Sequence, residues 1–363
     1  MPVHFELPSY RPPDFSGGRF ADCPVARTVP AEADGIVPDG YHATSIYPEY
    51  IHIEKGVWKL IASSRMDCAI VLSNGGMEVK EFRRVKKGEA VLVGRSEDGE
   101  EGIFVHTTGF AGNEQRGEKF SFHIRRTRET PFSRDYDSMY ELLRHEKTRG
   151  KIVWVLGPAL TFDYDSRSAM AGLIQSGYAH AVLAGNALAT HDIEAALYGT
   201  GLGQDIYTKE YRRLGHYHHL DAINTVRKHG SMKRLLELGL IQDGIVHACL
   251  RRDIPLILAG SIRDDGPLPG VIADAYRAQD AMREAVRDAT TVIALATQLH
   301  AIATGNMLPS YQVFGDTVRP VYFYIVDISE FALDKLANRG SLEVRGIVTN
   351  VQDFLINLKR ALV

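Results

Sequence analysis

The second half of the chain carries six nearly continuous apolar runs, KIVWVL, HAVLAG, IPLILAG, TTVIALA, PVYFYIV and GIVTNV, and each stops at small or polar residues able to meet a ligand. Those endings are Gly157-Pro158-Ala159-Leu160-Thr161, Gly185-Asn186-Ala187, the loop from Gly260 to Gly266, Thr297-Gln298-Leu299-His300, Asp327-Ile328-Ser329 and Thr349-Asn350-Val351. Glycine and alanine let a backbone approach a ligand closely, while amide, hydroxyl and imidazole groups fix its orientation. The loop SIRDDGPLPG sets a guanidinium beside two carboxylates, which suits an amino-acid ligand: Arg263 for the carboxylate, Asp264 or Asp265 for the amine. A self-paired Arg–Asp loop is the competing reading. Asp327 closes VYFYIVD ahead of a helical pattern, the place of an acid that hydrogen-bonds both ribose hydroxyls of a dinucleotide. Its charge would repel a 2′-phosphate, which favours NAD over NADP. An aspartate there can instead cap the following helix.

Other residues carry less chemistry. His191 with Asp192 and Glu194, and the trio His216, His218 and His219, invite a metal reading. Neither has HExxH-type spacing, and three histidines in four residues cannot all face one ion on a helix, so no metal site is expected. Cys249, in the apolar stretch GIVHACL with no base beside it, reads as packing. No GxGxxG follows any run, and the cluster Gly199-Thr200-Gly201-Leu202-Gly203 has different spacing, so the ordinary dinucleotide fingerprint is absent.

Bringing six run ends together requires a sheet. Fully apolar runs alternating with helical stretches describe a parallel sheet covered on both faces, with ligands beyond the carboxyl ends of its strands. Residues 151–363 are therefore read as an α/β, Rossmann-like, doubly wound and mostly parallel sheet without GxGxxG. Ahead of it, the short runs YIHI, WKLIAS, CAIVL, AVLVG and GIFVH, separated by turn signals such as Glu97-Asp98-Gly99, describe a small all-β barrel or sandwich over 34–130. Helical spacing in YDSMYELLRHEKTRG places a linking helix within 131–150, and the Pro-, Arg- and Gly-rich segment 1–33 reads as a surface arm adding little core.

Composition narrows the class. The 363 residues, 45% hydrophobic and 24% charged, suit an ordinary globular protein of two domains. A formal charge of -3 without a basic stripe argues against nucleic-acid partners. No run approaches the roughly 20 apolar residues of a membrane span, and MPVHFELPSYRPPDF lacks a signal pattern. Three cysteines (Cys23, Cys68 and Cys249) without a CxxC pair fit a reduced, cytoplasmic setting.

The motifs AGNALATHDIEAALYGT, LAGSIRDDGPLP, ATQLHAIATGNMLPS and LANRG…GIVTNV closely resemble the LOR/SDH bifunctional-region family. Its characterised members include archaeal-type ornithine cyclodeaminases and the C-terminal part of cyanobacterial arginine dihydrolase fusions. ADGIVPDGYHATSIYPEY, RMDCAIVL and RRVKKGEAVLVGR extend the likeness into the β region, so it covers roughly 32–363. The resemblance implies a tightly held NAD, a small amino-acid substrate, conversion of L-ornithine to L-proline with loss of ammonia, and a homo-oligomer. Carried over by position, the NAD contacts fall on Asn186, Ala187, Asp265, Thr297, Gln298, Leu299, His300, Asp327, Asn350 and Val351. The sequence departs from the family where Phe162-Asp163-Tyr164-Asp165 replaces a small glycine-containing turn, and where Ser329-Glu330 replaces Asn-Pro. Asp163 and Asp165 either recognise an extra cationic group or belong to a solvated loop.

The implied chemistry takes a hydride from the substrate Cα, closes the ring through the distal amine, expels ammonia and returns the hydride. It needs a base, a carboxylate anchor and a dry pocket. Asp264 or Asp67 is the candidate base and Arg263 the anchor; Asp67, with Arg65, would project from the β region across the cleft or lie in solvent. Two other functions fit the same residues: an NAD-dependent dehydrogenase or imine reductase on a related basic amino acid, and a non-catalytic NAD-binding protein.

Overall fold

The computed structural model describes residues 6–73, 76–110, 125–127, 134–264, 266–329 and 340–363. Its N-terminal unit is built of two antiparallel sheets. One has the order β1 (Arg27–Pro30), β6 (Ala90–Val93), β4 (Ala69–Ser73), β5 (Gly76–Lys80); the other has β3 (Val57–Leu60), β2 (Glu49–Glu54), β7 (Ile103–Val105). Alternation along these strands sends Ile51, Ile70, Leu92 and Ile103 into one core shared by both sheets, with Ile61. This is the small β unit expected from the sequence, but it begins earlier. β1 lies within the expected arm and pairs with β6, Phe20 is buried, and Phe15 stacks on Trp58 at 4.6 Å. The arm lacks periodicity because its contribution is made by isolated aromatic rings, each of which buries a large area from an irregular backbone.

The six apolar runs become strands β9 (Ile152–Leu156), β10 (Ala181–Gly185), β13 (Leu256–Ala259), β14 (Thr291–Leu295), β17 (Tyr322–Asp327) and β18 (Glu343–Val348). They are parallel and ordered β13-β10-β9-β14-β17-β18, the 3-2-1-4-5-6 order of a doubly wound dinucleotide fold. A seventh parallel strand, β8 (Arg125–Thr127), pairs with β18, so the chain enters this sheet before the expected boundary at 130. β9 and β14 are buried along their whole length, as strands covered on both faces must be.

One face is covered by α1 (Arg134–Arg149), α2 (Tyr164–Gln175), α3 (Asn186–Tyr198), α6 (Gly244–Arg251) and α9 (Val351–Leu362), with α4 (His218–His229) and α5 (Met232–Glu237) outside them. The other is covered by α7 (Ala275–Val286) and α8 (Gln298–Met307). Between α3 and α4 the chain forms a two-stranded excursion, β11 (Thr200–Gly201) with β12 (Gln204–Asp205). α1 falls within the span read as a linking helix, and Met139, Leu142 and Leu143 bury it in the α/β core. The hairpin β15 (Tyr311–Phe314) and β16 (Thr317–Pro320) reaches the β unit: Tyr311 Oη donates to the Ile61 carbonyl at 2.6 Å, and Phe110 packs on Tyr311 and Val318.

Candidate functional site

The strand order reverses between β9 and β14, and there the two backbones come into close contact. Gly157 N donates to Leu295 O at 2.8 Å, and a Cβ on Gly157 would lie 1.8 Å from Ala296 O, so no larger residue fits. Ala296 itself has φ +49°, the left-handed region that a residue with a Cβ enters at a cost of about 1–2 kcal/mol. Strain therefore sits at the crevice where doubly wound sheets bind ligands.

Helix starts around this edge fall into two kinds. Asp163, Asp274 and Asn350 cap α2, α7 and α9 with their own side chains, and Asp192 accepts from Ile245 N and Val246 N in the first turn of α6. The N-caps of α3 and α8, Gly185 and Thr297, supply no side-chain cap. Helical N–H groups left this way carry partial positive charge and suit an anionic ligand. The two uncapped helices approach each other, since a Cβ on Gly185 would meet His300 Cε1 at 2.9 Å. Burial holds the His300 imidazole pKa below its ordinary value, so it is neutral at neutral pH.

Asn186 binds the loop after β13. Its Nδ2 donates to Asp264 Oδ1 at 3.2 Å, and its Oδ1 accepts from Leu268 N at 3.0 Å. The second Asp264 oxygen accepts from Ser261 N at 2.8 Å. Asp264 is thus held from two sides while remaining partly exposed; Arg263 is exposed, and its backbone N donates to Ser261 Oγ at 3.1 Å. Asp264 thus bonds to Asn186 and Ser261, and among the described residues Arg263 makes no ion pair with it. Asp265 lies outside the described residues.

The remaining carried-over positions line the same edge. Asp327 is buried at the end of β17, with Oδ1 accepting from Ser329 N at 2.9 Å. Gln298 and Leu299 are exposed in the first turn of α8. Asn350 accepts from Gln352 N as the α9 cap, Val351 turns its side chain into the core, and Ala187 is half-buried in the first turn of α3.

The structure separates other candidates from this group. Arg65 pairs with Glu81 at 2.7 Å against α7. Asp67 is exposed at φ +62°, and its side chain has no hydrogen-bond or ion-pair partner among the described residues. Asp163, besides capping α2, binds Lys209 Nζ at 3.0 Å, and this pairing with its helix-capping bonds holds its carboxyl below the usual range against the cost of burial. The altered turn at 162–165 is thereby used in structure. His191 Nδ1 pairs with buried Glu194 at 2.8 Å, and Glu194 also accepts from Gly203 N and Thr200 Oγ1. Burial opposes that charge, but these bonds overcome it and lower the Glu194 pKa. Cys249 is buried and its thiol pKa is pushed far up by desolvation.

Two features escaped the sequence reading. Arg227 of α4 reaches the 264–268 loop, where Nη2 donates to Pro267 O at 3.3 Å and would meet a Cβ on Gly266 at 2.5 Å. Ile262, Leu299 and Ile328, each following a different strand, are 107%, 71% and 75% exposed, an aliphatic rim of the kind that marks a binding edge. Apolar residues inside the polar loop endings were the available signal for the rim; none existed for Arg227, which is remote in sequence.

Residues 138–358 match the family model described as arginine dihydrolase ArgZ-like, C-terminal, Rossmann fold. The ornithine cyclodeaminase of Methanocaldococcus jannaschii is 42% identical over 330 residues, covering 90% of this chain and 75% of that protein. Among solved structures, a conserved LOR/SDH protein from Methanococcus maripaludis S2 superposes with a TM-score of 0.81 at 38% identity, covering 93% of this chain and 98% of that one. AgrE, the bifunctional arginine dihydrolase/ornithine cyclodeaminase of Nostoc sp. PCC 7120, was crystallised in a ternary complex with ornithine and NAD+; it matches at TM-score 0.59 and 34% identity, over 94% of this chain and 46% of AgrE. With this Rossmann order, this loop chemistry and relatives of this similarity over nearly its whole length, the chain belongs to the archaeal and ArgZ/AgrE-type ornithine cyclodeaminase family of enzymes.

Proposed function

We propose that the chain converts L-ornithine to L-proline and ammonia, with NAD held at the carboxyl edge of its parallel sheet. The observation that carries this reading is the Asn186–Asp264 pair beside the uncapped starts of α3 and α8, in a chain related to a protein crystallised with ornithine and NAD+. The residues present fit a dinucleotide: open N–H groups at two helix starts suit its phosphates, and Asp327 suits ribose hydroxyls. Asn186, Ala187, Asp265, Thr297 to His300, Asp327, Asn350 and Val351 would hold it. When bound, NAD supplies a reversible hydride acceptor for the substrate Cα.

The chain's own groups do the rest. Asp264, oriented by Asn186 and Ser261 N, accepts a proton from a substrate ammonium group. Arg263 pairs with the α-carboxylate. Ile262, Leu299 and Ile328, exposed at the rim of this edge, are suited to cover a bound substrate. The reading includes a homo-oligomeric, cytoplasmic enzyme; exposed Tyr207, Tyr211, Leu214 and Leu220 around the β11–β12 excursion are suited to subunit contact, and no helix among the described residues is long and apolar enough to cross a membrane.

Two assays test this. Denatured protein is examined by mass spectrometry for released dinucleotide, and intact protein is incubated with L-ornithine while proline and ammonia are followed. Released NAD with equal yields of proline and ammonia supports the proposal. Net NADH formation without proline replaces it with a dehydrogenase, and no dinucleotide even after soaking removes the cofactor.

A further inference from the structure

We propose a second ligand site, for a small molecule bearing an oxyanion, in the cavity between the β unit and α7. The cavity is about 530 Å3, with Arg65 and Arg84 on the β side and Arg283 and Arg287 on the α7 side. Ile61, Met77, Val79 and Met307 give it an apolar wall.

Its charges do not balance. Arg65, Arg84 and Arg283 all contact Glu81, while Arg83, Arg84 and Arg283 all contact Asp280, so four guanidiniums share two carboxylates. Arg287 pairs with Glu284 at 3.0 Å, and Glu78, which also lines the cavity, shares Lys80 with Glu89 at 3.2 and 2.7 Å, so six cations stand against five carboxylates around it. Arg283 Nε is buried with no hydrogen-bond partner among the described residues. Burial and then repulsion from Arg65 and Arg84, only partly offset by Glu81, hold its pKa below the usual guanidinium value. Crowded guanidiniums of this kind are costly unless an anion completes their bonding, and the planar fork matches phosphate or carboxylate oxygens. The apolar wall suits an organic body attached to that oxyanion.

This site is separate from the carboxyl edge. α8 leaves that edge at Gln298 and reaches the cavity at Met307, about 14 Å along its axis at 1.5 Å per residue. An anion here bridges the β unit to α7, so its binding stabilises the folded chain by linkage.

The test titrates inorganic phosphate into the full-length protein saturated with NAD, at ionic strength held constant with chloride, and follows Tm and binding heat. The expected result is a saturable rise in Tm that Arg65→Met with Arg287→Met weakens at least tenfold in apparent affinity. Ala62→Trp, an exposed lining position that fills the cavity without altering any charge, should weaken it equally even if the arginine variants fold poorly. A rise matched by chloride, or unchanged phosphate affinity in Ala62→Trp, overturns the site.

Discussion

The side-chain amide of Asn186 donates to Asp264 Oδ1 at 3.2 Å and so ties the first turn of α3 to the loop after β13. Because the Asn186 carbonyl oxygen accepts from Leu268 N, the amide cannot rotate without losing a second bond. This fixes the direction in which the Asp264 carboxylate faces the edge.

Asn186→Ala should lower kcat by about tenfold to a hundredfold, the cost of about 1.4–2.7 kcal/mol in the transition state, with little change in Tm. Asn186→Asp sets a like charge against Asp264 and should move the acid limb of the pH–rate profile upward. Steady-state kinetics across pH 5–9 decide; an unshifted acid limb in Asn186→Asp would separate Asp264 from proton transfer.

Gly157→Ala should destabilise the contact just beyond the ends of β9 and β14, since its Cβ would lie 1.8 Å from Ala296 O. A loss of about 3 kcal/mol or more is expected by urea denaturation. Conversely, Ala296→Gly relieves the φ of +49° and should leave stability unchanged or higher.

Arg167 joins α2, α3 and α6 through Asp192 at 2.7 Å and Asp243 at 2.7 Å, with Arg167 and Asp192 both buried. Arg167→Met strands the Asp192 charge and should cost about 3–5 kcal/mol, whereas the double change Arg167→Met with Asp192→Asn should recover part of it. If the double variant is no more stable than the single one, stranded charge is not the cause.

His42 pairs with buried Glu49 at 2.9 Å, and Glu49 also accepts from Ser45 N. Burial works against the imidazolium, but the Glu49 contact outweighs it and raises the His42 pKa above 6.5. A folded-state pKa above the unfolded value adds stability that is full below pH 6.5 and is lost as pH rises through the folded pKa. The stability difference between the natural chain and His42→Gln should therefore shrink from pH 6 to pH 9 in denaturant titrations. A difference that grows over that range reverses the assignment.

Much of the architecture follows from local pattern. Six nearly continuous apolar runs alternating with helical stretches describe strands covered on both faces, and turn signals among shorter alternating runs mark out the antiparallel unit. The strand endings carrying Asn186, Asp264, Thr297 and Asp327 converge at one edge, because parallel strands all present their carboxyl ends to the same side.

What the sequence could not decide is which of those residues touch. Asn186 and Asp264 are 78 positions apart, and Arg227 reaches the Pro267 carbonyl from α4, pairings set by helix packing across β10 and β13. The part played by the first thirty residues was hidden because Phe15 and Phe20 contribute ring area without periodicity, and β8 because three residues give no period to read. Asp163 and Asp165 carry the same charge in the sequence; only the meeting of Asp163 with Lys209 and the α2 backbone assigns it to structure. Residue type and strand order are local and additive along the chain, whereas a hydrogen bond across the fold depends on the final packing of every element between its partners.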